Sequence, residues 1–461
     1  MRPVLVFLLI MIRAMGMGLP TSDVAVVGSF SKGPVDVAVD VDALTFGTLF
    51  GSARPGLHPA ESQARQFFRN GGSRITVVRI DSGKPLVDAL TGSLDPAHPA
   101  GLGALLPMSD LGILICPEIT ELDAPGISSC LDVVAELGTT RPLFTLLDPP
   151  AGITTAAAMV TWRQTNLPAG LSHAAIHFPA LSVDPSTWSG GTSATRITMG
   201  TSGTMAAVFR NNDATREIWK SPAGPTATFL AEGLEVPLTT TGLEALNLAG
   251  VCSLRNHPTY GNIVWGSRTL DSDVENLYIS IARTRRWVVR SLERMLSDAA
   301  LENNGSPLWN NLQTRAELFL SNLYFQGAFA GSTPAEAYFV RCDSSTNSVA
   351  DIDAHRVNIL IGASYGLPAE FTVDTVTLAT LDPNRPVPVV PLLVSPPVLG
   401  EIILSYPTAP GFLHTLQSSG FLTPGSWSDG TELPGDGAWI RRRFATSDPR
   451  RFFRVKTSAG W

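Results

Sequence analysis

The sequence predicts an α/β (α+β) core of mixed sheets flanked by helices, followed by a small C-terminal all-β module. Three observations carry this reading. Short β-branched runs closed by glycine alternate with helical patterns over residues 23–178. Pro383, Pro386, Pro388, Pro391, Pro396 and Pro397 mark a stiff linker over 383–397. Beyond it the texture changes to brief apolar pieces separated by Gly, Pro, Ser and Asp.

In chain order, Asp23-Val24-Ala25-Val26-Val27-Gly28 reads as a buried strand and Ser31-Lys32-Gly33-Pro34 as a turn. Residues 44–50 are apolar and stop at Gly51. Residues 61–68 fit a helix with Ala60, Ala64, Phe67 and Phe68 on one face; Asn70-Gly71-Gly72 breaks it, and 74–80 is a strand. The alternation continues from Asp81 to about Gly224, with strands at 111–116, 143–150 and 173–178 and helices at 130–137 and 155–165. Residues 277–281 read as a strand leading into a helix from Arg283 to about Leu296. Ser306-Pro307 opens the next helix, Ser as N-cap and Pro in the first turn, and Trp309, Leu312, Ala316, Phe319 and Leu323 recur at spacings of three or four. Residues 337–342 and 357–361 are strands. Residues 370–381 are extended, with Phe371, Val373, Val376 and Leu378 apolar; the alternation slips near Asp374, where a bulge would absorb it. Pieces at 402–404, 412–416, 439–440 and 452–455 predict a separate β module over 398–461. No internal repeat of 20–50 residues is present.

Composition narrows the function classes. The 461 residues are 44% hydrophobic and 16% charged, with 41 Gly and 35 Pro, a globular and turn-rich chain. A net charge of −7 without long single-sign runs argues against a nucleic-acid partner. Cys116, Cys130, Cys252 and Cys342 form no CxxC pair and no zinc-like cluster; buried, reduced thiols fit a chain folded in the cytoplasm. The nine apolar residues 4–12 fall short of the about 20 that span a bilayer. A short basic start before them mimics a secretory signal, which Arg13 interrupts; the other reading is a hydrophobic strand that something must cover.

Catalytic patterns fail one by one. Gly200-Thr201-Ser202-Gly203 lacks the final spacing of a nucleophile elbow and reads as a turn. Gly101-Leu102-Gly103 has no third glycine, and no phosphate-binding P-loop exists. His173 and His177 share a strand face without a Glu between them, which points to a structural pair. Asn304-Gly305-Ser306 matches a glycosylation acceptor, without other signs of secretion. No catalytic residue, cofactor or metal is expected, and the chain reads as a non-enzyme.

Several segments, taken in order, carry a resemblance. They begin with Val24-Ala25-Val26-Val27-Gly28, Gly33-Pro34, Phe67-Phe68-Arg69-Asn70-Gly71-Gly72 and Val77-Val78-Arg79. His173-Ala174-Ala175-Ile176-His177-Phe178-Pro179, Asp184-Pro185, Gly203-Thr204-Met205-Ala206-Ala207 and Trp219-Lys220-Ser221-Pro222-Ala223-Gly224 follow. Then come Asn247-Leu248-Ala249-Gly250-Val251, Trp265-Gly266-Ser267-Arg268-Thr269-Leu270, Pro307-Leu308-Trp309, Gly327-Ala328-Phe329-Ala330-Gly331, Glu336-Ala337-Tyr338-Phe339-Val340-Arg341-Cys342-Asp343 and Pro368-Ala369-Glu370-Phe371. Over roughly residues 22–372 this order resembles the contractile tail-sheath family of phages, R-type bacteriocins, type VI secretion and extracellular injection systems.

The resemblance implies a structural subunit of a helical sheath around an inner tube, whose contraction drives the tube through a target membrane. It implies an arm at 1–20, a core of 21–80 and 236–369, a middle domain at 81–235 and a linking strand at 370–382. The implied partners are copies of itself in stacked, hexameric rings, an inner tube protein, and baseplate and terminator or cap proteins. Assembly would be cytoplasmic, with the particle released or membrane-anchored and no direct membrane insertion. Sheaths of this family join subunits by exchanging terminal strands. Val4, Val6, Leu8, Ile10 and Ile12 in one strand, and Phe371, Val373, Val376 and Leu378 in the other, are the candidates. Two departures stand out: residues 1–17 lack the Pro-Gly-Val-Tyr-type motif of the family's arm, and the chain continues well past the linking strand.

Arg283, Arg286, Arg290 and Arg294 recur at three or four on one helix, beside Val288, Leu292 and Leu296. They are either a solvated face with an Arg290–Glu293 pair or a basic stripe against the tube or a neighbouring subunit. Trp309 and Arg315 on the next helix are a second tube-facing candidate, or core. The other function class is a cell-surface or glycan-binding protein, in which Tyr406, Trp427, Trp439 and Trp461 of the β module stack on sugars rather than fill its core.

Overall fold

The computed structural model describes residues 18–51, 58–188, 195–423, 425–446 and 451–460. The chain folds as two compact units, Pro20–Thr284 and Arg285–Trp461, the latter including Gly18 and Leu19. The first holds the strands β1 (Asp23–Gly28), β2 (Val39–Val41), β3 (Ile75–Arg79), β4 (Leu111–Ile115), β5 (Phe144–Leu147) and β6 (Ala174–Phe178). A small sheet follows from β7 (Leu181–Val183), β8 (Ile197–Met199) and β9 (Gly233–Leu234), in the order β8-β7-β9. With β10 (Val251–His257) and β11 (Gly261–Val264), the main sheet has the order β11-β10-β6-β5-β4-β1-β3-β2. Its six central strands run parallel, and β2 and β11 close the edges antiparallel.

The strand sequences explain this layering. Strands β4, β5 and β6 are buried at every position, as a parallel sheet covered on both faces requires. On one face, helix Ala124–Leu137 buries Ile127, Cys130, Leu131, Val134 and Leu137 at helical spacing, started by Asp123, whose side chain accepts the Gly126 N–H at 3.0 Å. This face joins Val27, Val78, Leu114, Leu147 and Ile176 in one core. All four cysteines are buried and free.

One expected strand is absent. Residues 277–281 are not extended: Tyr278 makes an isolated bridge to Arg268, and the helix Ile279–Met295 starts at once. Ile279 and Ala282 are buried on the same periodic face that continues through Val288 and Leu292, so the run was the helix's first turn.

The Arg285–Trp461 unit continues with helix Ser306–Phe325, which buries Leu308, Trp309, Leu312, Ala316, Phe319 and Leu323. Its cap is Gly305, not Ser306; Ser306 is the first helical residue, followed by Pro307. Strands β12 (Tyr338–Arg341), β13 (Arg356–Ala363) and β14 (Thr372–Ala379) form an antiparallel sheet in that order. The β13–β14 register runs without a break from Arg356↔Ala379 to Ala363↔Thr372, so Asp374 causes no bulge. The residues on the inward face are Thr372, Asp374, Val376 and Leu378, while Val373 points outward at 46% exposure. A charge in an inward position had looked like a slipped register.

The remaining strands are β15 (Leu393–Val394), β16 (Glu401–Pro407), β17 (Phe412–Ser419), β18 (Ser428–Pro434), β19 (Trp439–Ala445) and β20 (Phe452–Ala459). They make two three-stranded antiparallel sheets, β15-β16-β19 and β18-β17-β20, around Leu404, Tyr406 and Phe412. The Pro-rich stretch thus contributes a short strand, Leu393 opposite Ser405 and Val394 opposite Leu404.

Candidate functional site

Open parallel sheets bind ligands outside the carboxyl ends of their strands, where the strand order reverses. Here the reversal lies between β1 and β4. Two of the chain's own carboxylates, Glu118 and Asp148, are buried at that end, where a cavity of about 460 Å³ is lined by Gln63, Pro117, Glu121 and Asp148. Glu118 follows β4 and is 2% exposed; its Oε1 accepts the Ser29 N–H at 2.8 Å, and its Oε2 has no hydrogen-bond partner among the described residues. Only glycine fits at position 28, because a Cβ there would lie 2.2 Å from Glu118 Oε2. Burial pushes the Glu118 carboxyl up to about 7.

Beyond β5, Asp148 Oδ1 accepts the backbone N–H groups of Thr201 at 2.5 Å and Ser202 at 2.6 Å, and Oδ2 accepts the Ser202 hydroxyl at 2.8 Å. These groups open helix Ser202–Arg216, the kind of N-terminus that elsewhere receives a phosphate. Burial lifts Asp148 to about 6 against the pull of those hydrogen bonds. The Gly200-Thr201-Ser202-Gly203 segment is therefore a seat for an internal carboxylate. Ser202 is fully buried and donates to an acid, the reverse of an activated nucleophile.

The two histidines do not form a pair. His173 lies before β6, whereas His177 is buried within it against Phe209, ring centroids 5.8 Å apart, with neither ring nitrogen hydrogen-bonded among the described residues. Burial pushes His177 down to about 3, which keeps it neutral. Among the described residues no three His, Cys, Asp or Glu side chains converge as metal ligands.

Glu118 yields a measurable pH signature. Its folded value of about 7 lies above the ordinary 4.5, so its contribution to stability is complete below pH 4.5 and is lost as pH rises to 7. At about 1.4 kcal/mol per unit, Glu118→Gln should gain about 3 kcal/mol relative to wild type between those limits. Urea unfolding of both proteins across that range measures it; a gap that does not change with pH would refute the assignment.

The candidate joint is the β12-β13-β14 sheet. Val376 and Leu378 are buried within their own chain, and Phe371 packs edge-on against Phe339 at 5.2 Å. One edge of β14 is paired along its length with β13; its other edge has no partner strand among the described residues. Asp374 receives Arg285 through Nε at 2.9 Å and Nη2 at 2.8 Å, which ties β14 to the helix. Val4, Val6, Leu8, Ile10 and Ile12 lie outside the described residues.

The arginine stripe does not survive as one surface. Arg283 is 2% exposed and donates to Asp213 at 2.9 and 2.7 Å, with its guanidinium 5.9 Å from the Phe144 ring centroid and 5.3 Å from that of Phe209. Arg290 pairs with Glu293 at 2.6 Å, and Arg294 lies 3.9 Å from Asp436. Arg286 is half-buried with no carboxylate partner among the described residues; burial, then Arg290 and Arg285, push it down to about 10. Arg315 is held by Asp298 at 2.9 Å and by the Met295 carbonyl at 2.6 Å. Trp309 is core, its Nε1 donating to Asn304 at 2.8 Å. Helical spacing put these residues on faces correctly, but it carried no information about which face packs.

In the β module, Tyr406 is 1% exposed and is core, not a sugar platform. Trp427 is half-buried with the Arg454 guanidinium 4.3 Å from its ring centroid, Trp439 is half-buried, and Trp461 lies outside the described residues. The sequence reading missed Glu118, Asp148, Asp213 and Asp374. Asp148 reaches its acceptor role across 53 residues, and no local pattern announces it.

No family model matches the chain, and no curated protein matches it. Among solved structures, its fold is similar to a chain of the anti-feeding prophage baseplate, with 24% identity, 77% of this chain and 94% of that chain covered, and a TM-score of 0.58. It is similar to the PVC sheath complex of an extracellular contractile injection system in the contracted state, with 23% identity, coverage of 80% and 92%, and a TM-score of 0.57. The sheath tail protein of Listeria innocua shares the fold at 11% identity, with coverage of 80% and 98% and a TM-score of 0.53.

Proposed function

We propose that this chain is a structural, non-catalytic subunit of a contractile sheath, which polymerises around an inner tube and shortens to drive that tube through a target membrane. The observation that supports it most is the likeness of fold to sheath chains along nearly their whole length, 92% and 98% of two of them. The edge of β14 that has no partner strand among the described residues would supply a means of joining. The apolar run at 4–12 of another copy would add to that sheet by backbone hydrogen bonding, with alternate side chains entering pockets. About six such bonds at ~0.5–1.5 kcal/mol each give several kcal/mol before apolar burial.

In this reading copies of the chain stack as hexameric rings, the inner tube fills the bore, and baseplate and terminator or cap proteins hold the ends. Assembly takes place in the cytoplasm and the particle is released or membrane-anchored. Electron microscopy of the purified chain, alone and co-expressed with its tube protein, is expected to show hollow tubes. Monomers under both conditions would overturn the proposal.

A further inference from the structure

A cleft of about 810 Å³ opens between helix Thr240–Leu248 and β10 in the Pro20–Thr284 unit. Leu234, Leu238, Leu243 and Leu254 line it, and Trp265 stands in its wall with 47% of its surface exposed. The Arg255 guanidinium stacks on Trp265, 4.9 Å from the ring centroid. Arg268 stacks in the same way on Tyr278, which is 45% exposed, at 5.2 Å, and its Nε donates at 3.2 Å to Asn247, another residue of the cleft. Neither guanidinium has a carboxylate partner among the described residues.

The backbone fixes both cations on one flank. Trp265 and Gly266 donate their N–H groups to the Ser253 carbonyl at 2.8 and 3.2 Å. Two residues further, the Arg268 N–H meets Cys252 Sγ at 3.2 Å, and that thiol donates back to the Arg268 carbonyl at 3.1 Å. A Cβ on Gly266 would lie 2.8 Å from the Ser253 nitrogen, so glycine lets the segment lie flat along β10. The aromatic contacts hold both guanidiniums in place, and apart from the Arg268 Nε bond to Asn247 they leave N–H groups that suit carboxylate or phosphate. Arg255 lines the cleft and Arg268 stands beside it through Asn247, while Glu244 is the one carboxylate in the lining.

We propose that this cleft binds an acidic, leucine-bearing peptide segment of another protein. Carboxylates of the segment meet Arg255 and Arg268, and its apolar side chains enter the leucine-lined interior. The leucines offer nothing to the hydroxyls of a sugar. The site needs no polymer, so it does not depend on the sheath reading.

The test uses the full chain and a fluorescein-labelled peptide of alternating aspartate and leucine, followed by anisotropy. Saturable binding is expected, weakened by added salt and about tenfold weaker in Arg255→Glu and Trp265→Ala. Arg268→Glu, on a half-buried side chain beside the cleft, is the second variant should either of these unfold. An alternating lysine–leucine peptide should not bind. No binding of the acidic peptide, equal binding by the variants, or displacement by a uronic-acid oligosaccharide at lower concentration than by unlabelled peptide would overturn the proposal.

Discussion

Replacing Arg283 by alanine is expected to destabilise the Pro20–Thr284 unit by about 3–5 kcal/mol, the usual cost of leaving one half of a buried ion pair alone. Arg283 and Asp213 are 2% and 1% exposed in their side chains, and they meet through two hydrogen bonds of 2.9 and 2.7 Å. The flanking rings of Phe144 and Phe209 exclude the water that would otherwise solvate an abandoned carboxylate. Truncation also leaves a void between those rings. Asp213→Ala should cost a similar amount, and the double variant much less than the sum, because neither charge is then left unpaired. Equilibrium urea unfolding of the four proteins closes the cycle. A loss below about 1 kcal/mol for Arg283→Ala, typical of an exposed pair, would show that the pair is solvated.

The second large effect concerns assembly rather than folding. Removing residues 1–16 should abolish tubes while leaving a folded monomer, because under the proposed joint the apolar run at 4–12 completes a neighbour's sheet and not its own. The readouts are electron microscopy and sedimentation, with circular dichroism as the control for folding. Tubes of ordinary appearance from the truncated chain would eliminate this strand as the joint. The sheath reading itself would then stand or fall on the full-length chain.

The large sheet was readable from sequence because its strands are buried on both faces, so residues such as Val24, Val26 and Val27 or Leu111, Ile113 and Leu114 stand together without polar interruption. The first turn of the helix at Ile279 was misread for the same reason: a short apolar run has no period of its own. Charged residues were the least legible. Arg283 looks identical in pattern to Arg290, yet its partner lies 70 residues away in sequence, whereas that of Arg290 lies three residues on. Asp374 disturbed the strand pattern because its stabilising guanidinium, Arg285, is 89 residues distant.

The long β13–β14 ladder also bears on how force would travel. Eight facing residue pairs run side by side along this ladder. Tension applied along β14 at Ala379 and resisted at Ala363, the far end of β13, would act in shear: every rung is strained at once, as in a lap joint, instead of opening one after another like a zipper. The Arg285–Asp374 bridge then acts as a pin, since sliding by two residues would carry the carboxylate off its guanidinium.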